Sequence, residues 1–222
     1  MKFKTILACA VLGLVIFNGR LNAAVESDVV GYTTITTNAG YNMMGCVYKG
    51  LGTETISLND LLVGEFITGD QVQLYSSTGG YTIYTYNATT GWMNGRVPAD
   101  NRPLTVGDSF WLYTPNREVA VTIKGAVSTK DFTYTSIQGL QMVANSLPVD
   151  VKINEIAWSG LTNNDQLQVK TLTGYTIFTY STTTNKWMQG RAPADVTISA
   201  GSSVWLTTAN AGVTMTVANP LN

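Results

Sequence analysis

One stretch is written twice in this chain, at residues 80–100 (GYTIYTYNATTGWMNGRVPAD) and 174–195 (GYTIFTYSTTTNKWMQGRAPAD). With one gap opposite Asn185, 15 of the 21 paired positions are identical, more than a shared taste for β-forming residues would produce. Each copy alternates with a period of two. Tyr81, Ile83 and Thr85 share one face of a strand, while Thr82, Tyr84 and Tyr86 share the other; Tyr175, Ile177, Thr179 and Thr176, Phe178, Tyr180 repeat the pattern.

The likeness extends past the hairpin. Ile153-Asn154-Glu155-Ile156 answers Leu58-Asn59-Asp60-Leu61, and Asp165-Gln166-Leu167-Gln168-Val169 answers Asp70-Gln71-Val72-Gln73-Leu74, both 95 residues on. Ser203-Val204-Trp205-Leu206 then answers Ser109-Phe110-Trp111-Leu112. Short β-branched and aromatic runs at regular spacing, punctuated by Gly, Asn and Pro, predict an all-β chain. The expected organisation is a signal peptide over 1–23, then two tandem β-repeat domains over 25–126 and 127–222. Each is expected to be a small antiparallel β-sandwich or barrel-like domain with one short helical turn. A single larger sandwich sharing strands between the copies stays open. Ser57 followed by Asp60 supplies a capping-box start for that helical turn. Val72 and Leu74 alternate with Gln71 and Gln73, which predicts a half-buried strand, and residues 109–113 are apolar on both faces, which predicts cover on both sides.

The first residues read as an export signal: Lys2 and Lys4, an apolar run from Thr5 to Phe17, and small residues at Leu21-Asn22-Ala23-Ala24. That run is shorter than the roughly 20 apolar residues of a membrane helix, and no later stretch is a candidate. Removing Lys2, Lys4 and Arg20 from the 13 basic residues leaves ten against 14 acidic ones, so no basic footprint for nucleic acid remains. Of the two cysteines, Cys9 falls in the signal. Cys46 then stands alone in an apolar run, which predicts a buried, inert thiol and excludes an intrachain disulfide.

The chain contains no histidine, so histidine-based triads, dyads and zinc sites are excluded. Gly107-Asp108-Ser109 resembles an esterase nucleophile block but lacks its base. Asp70, Asp165, Asp100 and Asp195 stand at strand ends, where turn and capping roles are expected, although a carboxylate pair could in principle hydrolyse a glycosidic bond. No calcium-loop spacing is present, and no cofactor is expected. Asn87-Ala88-Thr89 fits a glycosylation sequon.

The aromatic groups remain. Tyr86, Trp92 and Arg96, with Tyr180, Trp187 and Arg191, are the candidate ligand-binding residues: the indoles could stack on pyranose faces while the arginines donate to ring hydroxyls. In the competing reading the tryptophans cap the core and the arginines lie over aromatic faces.

The segment Val25-Glu26-Ser27-Asp28-Val29-Val30-Gly31-Tyr32, with the Asp-Gln-hydrophobic-Gln strands, the Tyr-rich hairpin and the Gly-Asp-Ser-Phe-Trp-Leu strand, resembles exported proteins found in many copies in bacteria of the Verrucomicrobia group. The resemblance covers most of the chain after the signal and implies bacterial export; it implies no catalytic activity. The expected function is a non-enzymatic structural or interaction role at the cell surface or in the periplasm, with glycans or other surface proteins as partners. The alternative is a carbohydrate-binding module built on the paired Trp/Arg segments.

Overall fold

A computed structural model describes residues 28–76, 79–99 and 102–219. The expected signal segment lies outside them, as does Asp100. The chain is all-β. Its first half contains β1 (Val30–Thr37), β2 (Gly40–Gly45), β3 (Thr55–Ile56), the helical turn α1 (Leu58–Leu61), β4 (Leu62–Gly64), β5 (Gln71–Ser76) and β6 (Gly80–Asn87). It continues through β7 (Gly91–Asn94), β8 (Val97–Pro98), β9 (Leu104–Thr105), β10 (Ser109–Thr114) and β11 (Val119–Ala126).

These strands form a three-stranded sheet, β1-β11-β4, a six-stranded sheet, β2-β10-β5-β6-β7-β8, and the ribbon β3-β9. The core lies between the two larger sheets, where Val121 and Ile123 of β11 meet the layer of Val72, Leu74, Tyr84, Phe110 and Leu112. Pairing of β1 with β11, from Val30↔Ala126 to Thr37↔Val119, brings the two ends of this half together. Pro98 sits in β8 at the sheet edge, where its missing N–H costs no ladder bond.

The second half contains β12 (Phe132–Thr135), β13 (Gly139–Ala144), β14 (Val151–Lys152), β15 (Ala157–Ser159), β16 (Gln166–Lys170) and β17 (Tyr175–Ser181). It ends with β18 (Lys186–Gln189), β19 (Ala192–Pro193), β20 (Thr197–Ile198), β21 (Ser203–Thr208) and β22 (Thr214–Val217). The sheet orders β12-β22-β15 and β13-β21-β16-β17-β18-β19, with the ribbon β14-β20, follow those of the first half strand for strand. Among the described residues no strand belongs to a sheet of both halves, which are joined by the isolated bridge Met44↔Ser202, and each half has its own buried core.

The helical turn forms in only one half. Ser57 caps α1, its Oγ accepting from the Asp60 N–H at 3.2 Å. Lys152 occupies the corresponding place before Ile153-Asn154-Glu155-Ile156, offers no side-chain acceptor, and leaves a turn closed by Glu155 N–H to the Lys152 carbonyl at 2.9 Å. The expectation of a helical turn in each repeat is corrected to that extent.

Candidate functional site

The repeated hairpins place their tryptophans inside. Trp92 is 1% exposed and Trp187 is 0% exposed, so neither indole has a free face for a sugar. Phe66 and Tyr86 meet Trp92 edge-on at 5.0 and 5.2 Å between ring centroids, and Trp158 and Tyr180 meet Trp187 at 5.4 Å each. Their backbones are clamped from across the half: Trp92 N–H donates to Asn59 Oδ1 at 2.9 Å and Trp187 N–H to Asn154 Oδ1 at 2.8 Å. The sequence carries this clamp as the matched Leu58-Asn59 and Ile153-Asn154 pairs, but nothing local to either asparagine names its partner 33 residues away.

Arg96 and Arg191 are exposed at the tips of the next hairpins, each following the glycine of a two-residue turn. Gly95 and Gly190 have φ of 60° and 63°, the first central position of a turn that twists in the same sense as the flanking strands. Neither arginine lies over an aromatic ring; among the described residues that contact is made by Lys170 over Tyr175. The grouping of Tyr86, Trp92 and Arg96, and of Tyr180, Trp187 and Arg191, as a stacking platform is therefore corrected. The tyrosines are half-buried against the indoles, the indoles belong to the cores, and the arginines stand apart on turns. Beside Trp187 a hollow of about 330 Å³ is lined by Asn154, Trp158, Tyr180 and Asn185. Asn154 is committed within it to the Trp187 backbone and, at 2.7 Å, to the Ala194 carbonyl.

A second aromatic arrangement arises where the halves meet. Met43 and Trp111, paired across β2 and β10, pack on Met142 and Trp205, paired across β13 and β21. These four residues hold corresponding positions in the two copies, so the contact is of the self-complementary, twofold kind. Gly45 lies opposite its own counterpart: a Cβ on it would stand 2.6 Å from the Ala144 Cβ, and its N–H donates to the Gly201 carbonyl at 2.8 Å.

The symmetry breaks at one pair of positions. Tyr75, opposite Tyr81 across β5 and β6, packs edge-on against Trp205 at 5.3 Å. The corresponding residue opposite Tyr175 is Lys170, whose ammonium instead turns to the Thr171 carbonyl at 3.0 Å and to the Tyr175 ring at 5.8 Å. On that side a cleft of about 920 Å³ opens, with Trp111 and Lys170 both in its lining. Tyr81 and Tyr175, the same residue of the two hairpins, also line it and are 46% and 43% exposed. Gln73, expected on a solvent face, lines this cleft and is 8% exposed because the second half stands over its sheet.

The remaining sequence candidates are structural. Asp70 is buried and receives Arg117 Nη2 and, at 2.9 Å, the Ile67 N–H; Asp165, equally buried, receives the Thr162 and Ala209 N–H groups at 2.7 and 2.8 Å. Asp108 accepts from the Thr105 N–H at 2.8 Å, a turn-closing role, and Ser109 beside it has no base. Cys46 is buried, its Sγ donating to the Tyr48 carbonyl, and burial with the nearby Asp108 carboxylate pushes its thiol up to about 12. Asn87, of the sequon, is exposed and accepts from the Thr89 N–H at 2.8 Å. Among the described residues no three acidic or cysteine side chains gather as a metal site would need, and no helix is long and apolar enough to cross a membrane. Neither a protein-family model, nor a curated protein, nor a solved structure matches this chain.

Proposed function

We propose that the chain is an exported, non-enzymatic β-protein that acts by holding a partner in the cleft between its halves. The observation that carries this reading is the pairing of Tyr81 with Tyr175. Tyr86/Tyr180 and Trp92/Trp187 serve core packing, whereas Tyr81 and Tyr175, set against their cross-strand neighbours Tyr75 and Lys170, keep nearly half of their surface open and line one cleft. A non-enzymatic role is supported by the lining, which holds no carboxylate among the described residues, and by a sequence without histidine. A sugar platform on Trp92 and Trp187 is the less favoured reading, because both indoles are enclosed.

Sedimentation with cell-envelope fragments of a producing bacterium tests the proposal. The chain without residues 1–23 should pellet with the fragments saturably, and the double variant Tyr81→Ala, Tyr175→Ala should remain in the supernatant with an unchanged melting curve. Undiminished pelleting by that variant would remove the cleft from the function.

A further inference from the structure

Building on that reading of the cleft, we infer that its occupant is an uncharged oligosaccharide, with Tyr81 and Tyr175 as stacking faces. Four features of the lining point to this chemistry. The exposed aromatic surface comes from tyrosine rings, flat and amphipathic, which suit the alternating C–H and hydroxyl surface of a sugar ring. Around them stand neutral groups that donate and accept: Thr36, Asn38, Thr171, Thr197 and Ser199.

Among the described residues the only charge in the lining is Lys170, whose ammonium is already directed to the Thr171 carbonyl and the Tyr175 ring rather than offered to an anion. The volume of about 920 Å³ lies at the upper end of ligand sites, roughly 300–1,000 Å³, and fits several rings better than one.

Other occupants fit less well. A lipid chain needs continuous apolar walls, and here hydroxyl and amide groups interrupt them. An extended peptide is held chiefly along an unpaired strand edge, and the outer edge of β2 is interrupted at its Met44–Gly45 end, where Met44 bridges to Ser202 and the Gly45 N–H donates to Gly201 O. Among the described residues the lining holds no carboxylate and so neither member of a glycosidase pair, which favours a sugar that is retained over one that is cleaved.

Affinity electrophoresis through gels containing laminarin, xylan, mannan, hydroxyethylcellulose or polygalacturonate tests the inference on the chain lacking residues 1–23, beside the envelope sedimentation described above. Retardation by at least one neutral polysaccharide is expected, changing less than about twofold when salt is raised well above physiological strength, since no ion pair is screened. Tyr81→Ala with Tyr175→Ala should weaken it about tenfold or more, about 1.4 kcal/mol. Ser199→Trp, which fills the cleft from another wall, should do the same and serves if the tyrosine variant does not fold.

No retardation by any neutral polysaccharide, with envelope binding still dependent on the cleft, would sink the sugar assignment and leave the holding role standing. Absence of both would sink both. Retardation by polygalacturonate alone, abolished by salt or by Lys170→Met, would overturn the uncharged class, and neutral binding that survives both cleft variants would place the sugar elsewhere.

Discussion

Asp70 and Asp165 are the same residue in the two copies, yet the chain gives them different partners. Asp70 is paired with Arg117, whereas Asp165 has Ala211 at the place corresponding to Arg117 and relies on two backbone N–H donors. Removing the arginine strands a buried carboxylate, so Arg117→Ala should lower stability by about 3 kcal/mol, the lower end for breaking a buried pair because the guanidinium keeps some solvent. Urea unfolding measures it. Cys46 makes a second residue-scale prediction. Burial raises its thiol from near 9 to about 12, so the folded chain holds that proton more tightly than the unfolded one. The resulting stabilisation is complete below about pH 9 and is lost as pH rises toward about 12. Melting temperature should fall across that window, and fall less in Cys46→Ala; reaction with a thiol reagent at neutral pH should wait on unfolding.

At the scale of elements, the repeated Trp-Met-x-Gly-Arg-x-Pro-Ala-Asp is a hairpin: an indole anchored in the core, a glycine with positive φ in the turn, and a proline on the sheet edge. This much was legible, because each residue type has one local reason to be there. The inserted Asn185 is equally readable, taking the left-handed conformation (φ 51°) that asparagine tolerates in turns. Four residues of helix depend on one cap. Ser57→Ala should therefore cost about 1 kcal/mol by thermal unfolding, at the typical value for a lost N-cap. The second half cannot lose what Lys152 never supplied.

The molecule as a whole is two sandwich-like halves joined through equivalent faces. Residues 109–113, apolar on both faces, predict cover for Trp111, and Trp205 answers it in the second copy; what covers each is the other half. Trp111→Ala and Trp205→Ala should each cost about 3–5 kcal/mol, as for large core truncations. Because the lost contacts lie between the halves, calorimetry should also show unfolding that is broader than the parent's or divided in two. Two variants as stable as the parent would contradict this packing. The same junction defines the candidate site. By sequence Trp92 and Trp187 suit either a sugar platform or a core cap, since large apolar rings that repeat are also what a repeated core requires, and burial decides for the core.

The sequence by itself determined the all-β class, the alternation within each strand, and the turns, because these follow from local backbone preferences and a period of two. It also set which hairpin aromatics share a face; burial then shows that Tyr84 and Phe178 turn inward, while Tyr81 and Tyr175 on the opposite face do not. Only the tertiary structure decided that those outward tyrosines share one cleft. Their meeting depends on how two sheets dock, and docking turns on contacts between residues about a hundred positions apart, such as Gly45 with Ala144, and on one broken equivalence, Tyr75 against Lys170.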